Sequence, residues 1–99
     1  MSNITYQGAF IKGYIHADVT VGTAAAEALA IAPAGTRRVG LVIQNLSTTA
    51  TVQAILADSG SVGIRIPPLG NITQENYNGP VRLVSSVAST PVHVAYANS

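Results

Sequence analysis

The sequence predicts an all-β domain, an antiparallel β-sandwich or jelly roll of about seven to eight short strands with an N-terminal arm, on three observations. Apolar and polar residues alternate along most of the chain, the period of a half-buried strand. The apolar set is mainly small and β-branched, with 15 Ala, 11 Val and 9 Ile among 99 residues against one Phe, one Met and no Trp. That mix suits a thin core between sheets better than one between helices. Nine Gly and five Pro fall largely between the alternating runs, where they mark turns.

The elements follow in chain order. From Ile15 to Val21 the odd positions are apolar while His16, Asp18 and Thr20 face the other way, as side chains do on a strand. Residues 23–32 are rich in Ala, and Thr23 is a possible helix N-cap, but Pro33 closes a run too short for an unsupported helix. An extended segment is expected there. Val39, Leu41 and Ile43 share one face of the next strand and Gly40, Val42 and Gln44 the other, a nearly two-sided apolar pattern that suits a central strand. Val52, Ala54 and Leu56, the Asp58-Ser59-Gly60-Ser61 cluster, and Val62, Ile64 and Ile66 read as a hairpin. Pro67-Pro68 ends it, because proline donates no ladder hydrogen bond. A short strand over Ile72 to Glu75, a turn at Asn78-Gly79, a strand through Val81, Leu83 and Ser85, and a last one through Val92, Val94 and Tyr96 complete the body. Residues 15–99 are therefore expected to form one sandwich domain, preceded by an arm over residues 1–14 that holds Tyr6, Phe10, Ile11 and Tyr14.

Charge is sparse. Five Lys or Arg and four Asp or Glu make 9% of the chain, where a typical domain carries roughly 25%. The cations are dispersed except for Arg37-Arg38 and the net charge is +1, which argues against the basic footprint of a nucleic-acid binder. With no Cys, disulfides, thiolate metal sites and thiol nucleophiles are excluded together. No apolar run reaches the ~18 residues of a bilayer span, and no signal-peptide core is evident at the N-terminus. Synthesis in a cytoplasm is expected, with no membrane partner.

Candidate chemistry is thin. His16 and Asp18 share a strand face and are suited to ligate a metal or to pair a base with its orienting carboxylate. The remaining pool of His93, Asp58, Glu27 and Glu75 has no recognisable ligand spacing, so a solvated strand face is the favoured reading. No serine lies in a nucleophile elbow, and no glycine cluster forms a phosphate loop. No catalytic residue, cofactor or metal is expected, and the protein is read as not an enzyme. Arg37-Arg38 reads as solvated charge at the end of a core strand, with an anchor for an acidic partner as the alternative. The aromatic arm either folds back on its own sheet or docks on a neighbouring chain. Docking is preferred, because interfaces enrich Tyr and deplete Lys, Glu and Asp, and Tyr6, Phe10, Ile11 and Tyr14 are the candidate partner-binding residues.

The run RRVGLVIQN (37–45), a polar turn at Ser47 to Thr49, GIRIPPLGNIT (63–73), NGPVRLVSS (78–86) and TPVHVAYA (90–97) together resemble small structural proteins of tailed bacteriophages. The resemblance covers about residues 19–97, through short and degenerate motifs. It departs from the pattern in the double proline Pro67-Pro68 and in the Ala-rich stretch before Arg37. It implies a virion β-sandwich, most specifically a capsid decoration (cement) protein on the outer capsid surface, bound to the major capsid protein and forming a homo-oligomer, with a trimer favoured. The alternative is a tail- or fibre-associated module that binds host surface or carbohydrate, for which Asn76, Tyr77 and Asn78 would form an aromatic-amide platform.

Overall fold

Eight strands are present in the computed structural model, which describes residues 13–99. They are β1 Ile15–Val21, β2 Ala26–Leu29, β3 Arg38–Asn45, β4 Val52–Ile55, β5 Ile64–Ile66, β6 Asn71–Glu75, β7 Val81–Ser85 and β8 Thr90–Asn98. One sheet has the order β1-β8-β3-β6 and the other β2-β7-β4-β5, and every pairing is antiparallel. The pairs β1 with β8, β2 with β7, β3 with β6 and β4 with β5 are nested. The chain is doubled back on itself as one long hairpin, and β3 with β8 and β4 with β7 then join its two arms into sheets. This connectivity is that of a jelly roll, so of the two topologies open in the sequence the structure has the second.

The core lies between the sheets and follows the alternation. Val21, Leu41, Ile43, Val92 and Val94 of one sheet meet Val52, Ala54, Ile66, Val81 and Leu83 of the other, all buried. β3 is flanked by β8 and β6, the central position its apolar pattern requires. The Ala-rich stretch is extended through β2, which pairs with β7 across a register shift between Glu27 and Leu29. The proposed hairpin forms as β4 and β5, but Val62 and Leu56 lie outside its ladder. Gly63 approaches β4 so closely that a Cβ there would run into the Ala54 carbonyl and the Ile55 backbone. β8 starts at Thr90, two residues before Val92, and Pro91 pairs in register with Thr20.

Polar side chains tie the ends of the sandwich. Asn45 is fully buried; its amide donates to the carbonyls of Ala50 at 2.8 Å, Ile66 at 3.1 Å and Pro67 at 3.1 Å, and its Oδ1 accepts from the Ser47 amide at 3.0 Å. It thus clips the β3–β4 loop to the β5–β6 turn. Thr90 donates to the Val87 carbonyl at 2.7 Å, leaving Ser85 to donate to Thr90 Oγ1 at 2.6 Å across the β7–β8 turn.

Arg38 corrects the sequence reading of a solvated pair. Arg37 is exposed and reaches Asn76 Oδ1 at 3.5 Å, whereas Arg38 is only 2% exposed. The Arg38 guanidinium donates to the carbonyls of Ala30 at 2.6 Å, Gly79 at 2.7 Å and Tyr77 at 3.3 Å, and its carbon lies 5.8 Å from the Tyr96 ring centre. Burial holds it below the ordinary arginine pKa, against the opposing influence of Tyr77 and Tyr96. A planar, fixed fork of donors can gather carbonyls from two loops at once, and Arg38 does so for the β2–β3 and β6–β7 connections.

Candidate functional site

The densest group of chemistry-bearing side chains lies on the outer face of the β1–β8 pair. His16 and Asp18 are two apart on β1 and so share this face. Asp18 stands directly opposite His93 on β8, and His16 opposite Ala95, which places His16 on the diagonal from His93. His93 Nδ1 is 2.6 Å from Asp18 Oδ1, and His93 Nε2 is 2.8 Å from His16 Nδ1. The imidazole planes differ by 29° and the ring centres are 5.1 Å apart. That separation exceeds the nitrogen-to-nitrogen distance by about one ring width, so the rings meet edge to edge rather than face to face.

With both rings neutral, the hydrogen bonds assign the protons. An ionised carboxylate only accepts, so His93 carries its proton on Nδ1 and offers a lone pair at Nε2. His16 then donates from Nδ1, and its Nε2 is left for solvent. Asp18, His93 and His16 form a directed chain from an exposed carboxylate through a ring with 28% of its side-chain surface exposed to an exposed ring. Alternation puts both histidines away from the core, yet 77 residues separate them, and only the β1–β8 pairing brings them together. The other acids stay apart: Glu27 faces Arg82 in the second sheet, Glu75 faces Gly40 at the end of β6, and Asp58 lies in the β4–β5 connection. No group of three metal-ligating side chains is found among the described residues.

A second feature is one end of the sandwich. The loops of residues 22–25, 46–51, 67–70 and 86–89 have the sequences GTAA, LSTTAT, PPLG and SVAS, without one ionisable side chain. Backbone hydrogen bonds bind them together: Ser85 to Gly22 at 2.9 Å, Ser86 to Thr51 at 2.9 Å, and Leu69 to Ser47 at 3.0 Å. Leu46, Leu69 and Val87 stand exposed here. Pro67 to Gly70 is a tight turn closed by Gly70 N–H to the Pro67 carbonyl at 2.9 Å, with Leu69 at φ 61°. This geometry favours Gly at the position Leu69 fills, and the side chain is 63% exposed, so strain is borne there with little burial in return.

The remaining candidates are accounted for by the chain itself. Tyr77 donates to the Pro80 carbonyl at 2.6 Å and packs on the core, Asn78 Oδ1 accepts from the Arg38 amide at 2.7 Å, and Asn76 faces Arg37. The amide-aromatic platform proposed for this turn is therefore committed to internal contacts. Tyr14 lies over Gly40, where a Cβ would meet its hydroxyl at 2.5 Å, and remains 43% exposed. Its ring thus rests on its own sheet, while Tyr6, Phe10 and Ile11 lie outside the described residues. A cleft of about 270 Å³ opens between the edges of β1 and β2; Glu27 is its only ionisable lining residue, and neither histidine reaches it. Comparison with family models, with curated proteins and with solved structures found no match.

Proposed function

We propose that the protein is a virion structural protein, a capsid decoration protein that holds an assembled phage head together through protein–protein contacts made by the charge-free loop end. The observation that carries the proposal is Leu69, an exposed apolar side chain in a left-handed turn position. Such a residue costs the isolated chain stability, and strained, exposed positions of this kind concentrate where a surface is used. Leu46, Val87 and the two prolines share this loop end and give it the uncharged chemistry that interface cores favour. A shell protein needs no reaction centre. It stabilises by binding only the assembled state, and many symmetry-related copies multiply a modest affinity. The phage resemblance supplies the partner, the major capsid protein, and the expectation of a trimer. A carbohydrate-binding tail module is less supported, because the side chains expected to form its platform are engaged internally.

The test mixes purified chain with heads assembled without it and measures co-sedimentation and image density. The wild-type chain is expected to decorate the heads in ordered positions. Leu69→Gly is expected to keep its thermal midpoint within a few degrees while binding falls at least about tenfold, a loss of ~1.4 kcal/mol. Removing residues 1–14 reports on the arm separately. Undiminished binding by Leu69→Gly moves the contact elsewhere, and heads left bare by the wild-type chain overturn the proposal.

A further inference from the structure

We propose that His16 and His93 form a binding site for a borderline transition-metal ion, Zn²⁺, Ni²⁺ or Cu²⁺, with Asp18 as the carboxylate that orients His93. The inference rests on β1 and β8 and is independent of the proposed function.

Two imidazole nitrogens on separate strands, His16 Nδ1 and His93 Nε2, point at one another from 2.8 Å. Imidazole nitrogen suits these ions, and Zn–N bonds of about 2.0–2.1 Å at a tetrahedral angle need the two nitrogens roughly 3.3 Å apart. An opening of about half an ångström, with a tilt of the rings that brings both lone pairs to a point off the line between the nitrogens, meets that requirement, and His16 can provide it, being exposed on the edge strand.

The proton arrangement already favours the ion. Asp18 fixes the His93 proton on Nδ1, so Nε2 presents its lone pair without rearrangement. This is the carboxylate–histidine–metal arrangement in which an outer carboxylate sets the tautomer and raises the basicity of the ligand. His16 needs only to carry its single proton on Nε2 instead of Nδ1, exchanging it through solvent. Both lone pairs then converge, no proton is released overall, and neither ring is charged. Only two protein nitrogens meet, since the fourth nitrogen of the pair faces solvent and His93 Nδ1 is taken by Asp18. The ion therefore keeps water or an exogenous ligand at its other positions, and β1, an edge strand, becomes clipped to β8.

Untagged full-length chain is titrated with each metal salt by calorimetry, and its imidazole nitrogens are followed by nitrogen-15 NMR. One ion per chain is expected, with His16 moving from the Nδ1–H to the Nε2–H form and the thermal midpoint rising. His16→Ala and His93→Ala each abolish these changes while circular dichroism shows the β fold intact. Asp18→Asn weakens affinity about 10- to 100-fold, the usual effect of losing such a partner. No binding by the wild-type chain overturns the proposal, as does equal binding by the double alanine variant or a His16 that retains Nδ1–H with metal present.

Discussion

Replacing Arg38 by Met tests whether a buried charge without a carboxylate partner holds the sandwich end together. Methionine keeps most of the aliphatic stem, so the change isolates the guanidinium. Two of its hydrogen bonds, at 2.6 and 2.7 Å, are short and charge-assisted, and the third, to Tyr77, is long at 3.3 Å. Bonds of the first kind contribute about 1.5–3 kcal/mol each and a weak one about 0.5, which gives a gross loss of roughly 3.5–6.5 kcal/mol. Against this, the variant no longer buries a charge or the Arg38 Nε, which has no partner among the described residues, and the relief is about 1–2 kcal/mol. The carbonyls of Ala30 and Gly79 stay behind unpaired, so an apolar replacement cannot be neutral here. The net expectation is a loss of about 3 kcal/mol, or roughly 15 °C in thermal midpoint for a domain of this size. Equilibrium urea denaturation measures it, with an unchanged denaturant slope showing that the same surface is exposed on unfolding. Arg38→Lys, with a point charge in place of a fork, should fall between Met and Arg. A loss below about 1 kcal/mol for Arg38→Met at unchanged slope would falsify the reasoning.

Other substitutions probe the remaining ties. Asn45→Ala leaves three carbonyls and the Ser47 amide without their partner and should cost about 3 kcal/mol by the same denaturation measurement. Gly63→Ala drives a methyl group into the β4 backbone, which cannot yield as a side chain can, and a cost of about 2 kcal/mol or more is expected; a neutral result would mean that β5 stands further from β4. Tyr77 ionises above its ordinary value of 10.0, because burial disfavours the phenolate and Asp58 repels it, more than Arg38 attracts it. The unfolded chain thus releases this proton first, so the stability Tyr77 contributes is full below pH 10.0 and is lost as pH rises through the higher folded value. Alkaline unfolding followed by circular dichroism should show this decline, and Tyr77→Phe should flatten it.

Alternation was enough to place the strands other than β2, because a sandwich buries one face of a strand and the period of two survives in the sequence from Ile15 to Tyr96. The Ala-rich segment was harder, since Ala suits either state locally; pairing of β2 with β7 decides it, and no local signal records that pairing. Arg38 was misread because a charged residue beside another charged residue looks solvated, while its partners, the carbonyls of Ala30, Tyr77 and Gly79, belong to no side-chain pattern. The histidine cluster was half legible. His16 and Asp18 shared a face by spacing, but the third member comes from a strand whose neighbour is set by the long-range doubling of the chain.

That doubling also governs how the molecule reaches its fold. Only the β4–β5 ladder joins sequence neighbours across a short connection; the others span ever longer stretches, out to β1 with β8. Once β4 and β5 meet, the loop that β3 and β6 must close is shortened, and each ladder in turn reduces the entropy cost of the next. Folding should therefore proceed outward from the innermost hairpin, on the order of milliseconds to seconds as for other non-local β topologies. β1, carrying His16 and Asp18, closes last and opens first, so the cluster of His16, Asp18 and His93 assembles only when the whole chain has folded.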